Sequence, residues 1–470
     1  MDSANITRAV CLACWCLPGC APEAPPPAPP RPKPNVILIT VDTLRADHLS
    51  CYGHHRPTSP NIDRFAAGAT RFTRAMATSP WTIPTHGSLL TGKLPFEHGA
   101  HTVKVREPVN NVRTLPLENV TLAEVLAGEG YRTGAFVAND GYLSAGSQFD
   151  QGFGTYHVDR VYGHVLNREV FKWLEADPQQ PFFLFVNYID THRPYNTALR
   201  PGFIDPPAVQ DQGQLVDRLY QRVMPGIGPI PPDLVAMVKD QYDTSVANLD
   251  AQIGALFDRL QTLGHYDRTV IVLTSDHGEY FGEHHLVEHS KDVYQEVLWV
   301  PLIVKGVGQE RGRVIETPVS STDVPNLIFA EFPKRLATRY RKLFPDAPGN
   351  HEIIAENYYT RTEDLFNPTW GHRFDRIRTV IIDWPHKFIL SSDDRHELYD
   401  LAADPRESQN LVESRGELAN KLAARIRRVQ SLRRRYEDAA LPQPLTEEQR
   451  RRLQGLGYIG QDGATNGDGP

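Results

Sequence analysis

Three places in this 470-residue chain set metal-ligating side chains directly after an apolar run. Residues 35–41, NVILITV, end at Asp42. Residues 269–274 lead into Ser275-Asp276-His277-Gly278-Glu279. Residues 182–189 lead into Asp190-Thr191-His192. Carboxylate oxygens and imidazole nitrogens are the common ligands of divalent cations. In an open α/β sheet, ligands collect beyond the carboxyl ends of the strands, so these residues are candidates for one metal centre. A lone Asp at a strand end also serves as a helix cap or turn former, and Asp-His-Gly by itself is a weak signature. A fourth segment, residues 79–92 (SPWTIPTHGSLLTG), adds a hydroxyl. Pro84 suits the first turn of a helix, where its missing N–H costs nothing. Thr82 then sits just before the helix N-terminus, where free amides and the dipole favour an anion. A threonine hydroxyl is a poor nucleophile at neutral pH, and coordination to a metal lowers its pKa. Threonine is equally a good cap, and the residue types alone leave both roles open.

The elements that must position these groups follow from periodicity. Residues 35–41 are continuously apolar and β-branched, as a strand buried on both faces of a parallel sheet requires. Similar runs recur at 131–138, 182–189, 269–274 and 300–305. Helical spacing lies between them: Leu122, Val125 and Leu126 within 121–130, and Leu249, Ile253, Leu256, Phe257 and Leu260 within 246–263. Strands alternating with helices predict an α/β fold with a large, mainly parallel sheet flanked by helices. From residue 351 to 401 the pattern changes to short strand-like pieces (353–355, 379–383, 387–390), predicting a small C-terminal antiparallel sheet. A final helix carries Leu418, Leu422, Ile426, Val429 and Leu432 as its apolar stripe. The expected boundaries are a leader at 1–20, a Pro-rich linker at 21–34, a catalytic domain at 35–330, the antiparallel subdomain at 331–411, and a helix and polar tail at 412–470.

Taken in order, these segments resemble the sulfatase branch of the alkaline phosphatase superfamily. The family pattern is Cys/Ser-x-Pro-x-Arg followed by a short helix ending in Thr-Gly. Here it stands as Thr82-Ile83-Pro84-Thr85-His86, then Ser88-Leu89-Leu90-Thr91-Gly92. Residues 35–45 look like the first strand and metal loop, Tyr52-Gly53 and residues 58–63 like the next segment, and residues 274–283 like the second metal loop. Glu397-Leu398-Tyr399-Asp400-Leu401, Asp404-Pro405, Glu407 and Asn410-Leu411 look like the closing motif, so the resemblance spans about 35–411. It implies a metal-dependent ester hydrolase with Asp42, Thr82, Asp276 and His277 as metal ligands. It also implies that His192 and Lys291 contact the substrate anion and protonate the leaving group.

Departures from the pattern carry information. Thr43 stands where family sulfatases place a second Asp, and His277 where they often place Asn. Fewer hard oxygen ligands favour manganese or zinc over calcium or magnesium, without excluding the latter pair. The two-zinc relatives use Asp-x-x-x-His, whereas this chain has Asp190-Thr191-His192, which implies one divalent metal ion. The family's Gly-Lys-Trp-His lysine is missing from the matching residues 135–140, leaving Asn139 in part of its place at the substrate. His86 replaces the motif arginine.

Sulfatases of this family convert the motif cysteine to formylglycine, whose geminal diol releases sulfate by elimination. Thr82 cannot be so converted, and no cysteine here fits the motif. A threonine ester must be released by attack at its central atom, which is ordinary chemistry for phosphorus. Threonine-bearing relatives act on phosphodiesters, phosphonate monoesters or lipid-head-group phosphates. The resemblance therefore implies hydrolysis of phosphodiester or phosphonate-type esters through a covalent Thr82 intermediate. The alternatives are a sulfuric ester hydrolase without formylglycine, a phosphotransferase acting on a cell-envelope glycan or lipid, and an inactive glycan-binding relative. The presence together of Asp42, Thr82, Asp276, His277, His192 and Lys291 speaks against the last.

Composition bounds the partners. The formal net charge is -7, with 40% hydrophobic and 23% charged residues. That is an ordinary globular composition without the electrostatics of a nucleic-acid binder, and the late arginines (425–452) read as a solvated helix face. The substrate is expected to be a small-molecule, glycan or lipid ester. Four of the five cysteines (Cys11, Cys14, Cys16, Cys20) lie in the first twenty residues, which excludes a disulfide scaffold. Arg8, the short apolar run 9–17 and Leu17-Pro18-Gly19-Cys20 look like a bacterial lipoprotein signal peptide, with Cys20 lipidated and the run too short to span a bilayer. The tether 21–34, APEAPPPAPPRPKP, would then hold the folded body off the cell envelope. Cys20→Ser is expected to move the protein from the membrane to the soluble fraction on ultracentrifugation, and unchanged fractionation would rule out the lipid anchor.

Overall fold

The computed structural model describes residues 33–195, 214–226, 228–340, 352–433, 435–436, 446–448 and 451–452. The leader with Cys20, the tether up to residue 32 and the C-terminal tail lie outside the described residues. Among the described residues, no helix is long and apolar enough to cross a membrane.

The continuous apolar runs form the middle of a nine-stranded sheet. β1 (Asn35–Val41), β2 (Thr70–Met76), β3 (Arg132–Val137), β4 (Thr155–Val158), β5 (Phe182–Tyr188) and β6 (Thr269–Ser275) are joined by β9 (Trp299–Lys305), β10 (Arg313–Ile315) and β11 (Val319–Ser320). Between β6 and β9 a small hairpin forms from β7 (Tyr280–Phe281) and β8 (Val287–Glu288). The sheet order is β10-β2-β9-β6-β1-β5-β3-β4, with β11 also beside β2. β1, β5 and β6 are buried along their whole length, as strands covered by helices on both faces must be. β1 pairs in parallel with both β5 and β6, but β9 runs antiparallel to β2 and β6. The sheet is therefore mixed, a direction that an apolar run cannot announce.

Register places the candidate ligands. Val41 pairs with Ser275 of β6 and Tyr188 of β5. Asp42 and Asp276 thus emerge one residue past the same rung, on strands spaced about 4.8 Å apart.

The helices begin where their caps dictate. Thr121 accepts from the Glu124 amide and Glu124 answers to the Thr121 amide, a capping box that opens the Leu122–Gly128 helix. The expected helix at 246–263 is the second half of a longer one, Pro232–Thr262. Its first half buries Gln241, Tyr242, Asp243, Thr244 and Ser245, and those polar residues hide the helical period.

The C-terminal pieces form a four-stranded antiparallel sheet, β12 (Ile353–Asn357), β13 (Arg378–Asp383), β14 (His386–Ser391) and β15 (Glu397–Asp400). One face packs Ile354, Ile381, Phe388 and Leu398 against Leu422, Ile426 and Val429 of the Gly416–Leu432 helix. Leu432, the last member of that helix's apolar stripe, is 71% exposed. The closing segment is bolted to this sheet by a buried ion pair: Lys387 Nζ lies 2.6 Å from Glu407 Oε1 and donates to the Val293 carbonyl at 2.6 Å. Glu407 also accepts from the Gln295 amide at 2.6 Å. Lys387→Met leaves that carboxylate buried without its cation, so a loss of about 3–5 kcal/mol in chemical denaturation is expected. A change under about 1 kcal/mol would show that the pair does not hold the segment.

Candidate active site

Asp42, Asp276 and His277 meet in a fully buried cluster at the strand ends. The His277 ring donates from Nδ1 to the Gly278 carbonyl at 2.9 Å, which fixes the tautomer and leaves Nε2 as a bare lone pair. That nitrogen is 3.8 Å from Asp42 Oδ1 and 3.4 Å from Asp276 Oδ2. Both oxygens are buried and, among the described residues, without a hydrogen-bond partner. Burial, and then the charge of Asp276, push the Asp42 carboxyl up to about 8, and burial pushes Asp276 up to about 7. Two facing carboxylates with one bare oxygen each and an imidazole lone pair between them form the donor set that a divalent cation satisfies. Gly278 is required here, because a Cβ at that position would lie 2.0 Å from the Glu296 carbonyl oxygen.

Thr82 is fully buried and opens the Thr82–Thr91 helix as its first residue, with Trp81 in the cap position. It stands one step further in than expected. Its hydroxyl lies 3.5 Å from His277 Nε2, close enough to the Asp276 carboxylate to favour its charged form. His86, one turn on, donates from Nδ1 to the Thr82 carbonyl at 2.9 Å. Burial holds its pKa to about 3, so the ring that replaces the motif arginine is neutral.

A run of hydrogen bonds joins the Thr82–Thr91 helix to Asp42. Thr40 Oγ1 lies 3.1 Å from His86 Nε2 and accepts from Asn187 Nδ2 at 3.1 Å. Asn187 Oδ1 accepts from the Asn139 amide at 3.0 Å, and Asn139 Nδ2 donates to Asp42 Oδ2 at 2.6 Å. Asn139 therefore spends its side-chain amide on a candidate metal ligand. Thr40 and Asn187 escape the sequence reading. Their signal was a polar residue within one place of the end of each of two apolar strands, and the two are cross-strand partners in the register. Thr43, at the position of the family's second Asp, donates its amide to Asp276 and its hydroxyl to the Thr191 carbonyl at 2.7 Å. Thr191 returns its hydroxyl to the Asp42 carbonyl at 2.6 Å.

His192 and Lys291 are both buried, in two settings. His192 has its Nδ1 directed at the Arg193 carbonyl at 2.9 Å and its pKa held to about 3 by burial. Its ring lies 5.2 Å from that of His289, which lies 4.5 Å from the His277 ring. His289, one of three loop histidines with no clear role in the sequence, is oriented by Glu279 at 2.9 Å. Glu279 in turn accepts from the Tyr195 hydroxyl at 2.9 Å. His284 instead stacks on Tyr294, and the His285 carbonyl accepts from Arg373. Lys291 is buried between Glu288 (3.3 Å) and Asp364 (3.2 Å), and burial lowers its pKa to about 8. Asp190 does not join the cluster: its carboxylate accepts from the Gly163 amide at the start of the Gly163–Ala176 helix.

This constellation can be compared with known proteins. The sulfatase family model matches residues 34–330. The chain belongs to the sulfatase family. It is 25% identical over 435 residues to the uncharacterized sulfatase YidJ of Escherichia coli K12, covering 81% of this chain and 83% of that one. It is 26% identical over 519 residues to human iduronate 2-sulfatase, covering 80% and 90%. Among solved structures, the phosphonate monoester hydrolase of Agrobacterium radiobacter shares the fold with a TM-score of 0.65 at 19% identity, over 85% of this chain and 96% of that one. The protein is an ester hydrolase of this metal-dependent family.

The site makes the metal requirement testable. The purified protein is expected to carry one equivalent of divalent metal, lost with activity on chelation. Asp42→Ala and Asp276→Ala should each lower bound metal and abolish turnover with unchanged circular dichroism. Two tightly held equivalents by metal analysis would contradict a single centre.

Proposed function

We propose that the enzyme hydrolyses phosphodiester or phosphonate-type monoesters, with Thr82 as nucleophile. The observation that carries this reading is the Thr82 hydroxyl set among Asp276 and His277 at a helix N-terminus, in a family whose sulfatases require a residue that threonine cannot become. A divalent cation held by Asp42, Asp276, His277 and Thr82, for which manganese or zinc suits the mixed oxygen and nitrogen donors, would acidify the hydroxyl and polarise the ester. Thr82 Oγ1 attacks phosphorus, the bond to the leaving alcohol breaks, and the hydroxyl proton passes to solvent. His192 directs Nδ1 at the Arg193 carbonyl, and it would contact the substrate anion as a donor only when its ring carries a second proton. Lys291, with a lowered pKa, is the better proton donor to the leaving oxygen. Water then attacks phosphorus, the bond to Thr82 Oγ1 breaks with the proton returning to the hydroxyl, and a phosphate monoester (from a phosphodiester) or a phosphonate leaves.

Sulfate ester hydrolysis is the second reading, favoured by the relatives named as sulfatases. A panel of 4-nitrophenyl sulfate, phosphate monoester, phosphodiester and phosphonate separates the two by kcat/KM. Thr82→Ala is expected to lower turnover by at least about a thousandfold, and Thr82→Ser to stay within about tenfold. Rapid quenching should show a phosphoryl adduct on the Thr82 peptide. A mere capping residue would lose about 1 kcal/mol of stability on Thr82→Ala and keep its activity, which would overturn both the nucleophile and the preference for phosphorus.

A further inference from the structure

His192 also lines a cavity of about 140 Å³. Val161, Ile189 and Pro194 form its apolar walls, and Arg160 and Arg193 bring two guanidinium groups to it. The two arginines differ in how their charge is met. Arg193 is paired with both Glu288 and Asp217, so it arrives neutralised. Arg160 is half-buried and makes no hydrogen bond or ion pair with any described residue. It acts on Asp140 and His192 only through space. His192 itself is uncharged in this setting, so it adds no positive charge of its own.

An unpaired guanidinium on an apolar-walled cavity is a receptor for an anion carried on a ring or short chain. A substrate whose reacting group lies at Thr82 would pass His192 to reach it. We propose that this cavity is a second anion subsite, and that the natural substrate carries, beyond its reacting ester, a further carboxylate, sulfate or phosphate bound by Arg160. The inference rests on the placement of the reacting group at Thr82, and extends it by defining the substrate as an ester with two anionic groups. The walls suit the face of a sugar or aryl ring between them.

Binding tests this without requiring turnover. Phenylphosphonate, 3-carboxyphenylphosphonate and 3-sulfophenylphosphonate would be titrated calorimetrically into the metal-loaded wild type, Arg160→Gln and Arg160→Lys. In the wild type, the carboxylated or sulfonated ligand is expected to bind at least tenfold more tightly than phenylphosphonate. Arg160→Gln should reduce that ratio to below about twofold, and Arg160→Lys should restore part of it. The comparison of the two second anions shows which the subsite prefers. A ratio unchanged in Arg160→Gln, or a wild type that does not distinguish the ligands, overturns the subsite. If the phosphonates bind and Thr82→Ala still turns over esters, the nucleophile assignment fails while the subsite stands. Circular dichroism and thermal melts of the variants establish that the ratio is read from folded protein.

Discussion

Two carboxylates facing each other out of water impose the central constraint on this molecule. Asp42 and Asp276 project from adjacent parallel strands, and their facing oxygens lie within 4.8 Å of each other. Two unit charges at that separation repel by about 3.5 kcal/mol at an effective dielectric near 20, and burial adds to the cost of each charge. The sheet sets this geometry through its register: both residues follow the same rung of the parallel β1–β6 pairing. The repulsion is therefore built in by the core, and relief must come from a cation. Everything nearby limits how far the pair can relax. Asn139 holds Asp42, the Thr43 and His277 amides hold Asp276, and Thr43 and Thr191 clasp the two strand ends together.

Strain collects at the same place. Thr43 has φ of +62°, a conformation unfavourable for a β-branched residue. In the loop carrying His289 and Lys291, four non-glycine residues, His284, His285, Glu288 and Ser290, have φ between +53° and +65°. Each such residue costs on the order of 1 kcal/mol and persists only where its surroundings fix it. Here the fixing groups are visible: the Tyr242 hydroxyl on the Thr43 carbonyl, the Arg193 pairing of Glu288, and the Ser290 amide on the Pro80 carbonyl. The last contact ties the loop carrying His289 and Lys291 directly to the segment entering the Thr82–Thr91 helix.

The sequence made the central strands legible because burial on both faces leaves an unbroken apolar run. It made Asp42, Asp276 and His277 legible because ligands gather where such runs end. It could not reveal the reversed β9, since a buried strand reads the same in either direction. Nor could it reveal the long helix before residue 246, where buried polar side chains interrupt the period. Around the site, the candidate metal ligands that lie together were legible by type, whereas the residues that hold them through hydrogen bonds were not. Thr40 and Asn187 are ordinary polar residues until the register sets them side by side, and Arg160 is an ordinary arginine until the absence of a hydrogen bond or ion pair to any described residue sets it apart from Arg193.

Charge bookkeeping around the site bears on the class of ester. A divalent cation balances Asp42 and Asp276. His86, in place of the family's arginine, and His192 are both neutral by burial. Three cations, Lys291, Arg193 and Arg361, share three carboxylates, Glu288, Asp364 and Asp217. The reaction centre thus presents little net positive charge to the group it attacks. A dianionic phosphate monoester would enter such a site without compensation, whereas a phosphodiester, a phosphonate monoester or a sulfate ester brings only one negative charge. These electrostatics favour singly charged esters within the proposed reading. Under that reading, Thr82 as nucleophile is what would separate phosphorus from sulfur: threonine has no second hydroxyl through which to expel a sulfate, and its ester would have to be opened by water at the central atom, a displacement that phosphorus readily undergoes.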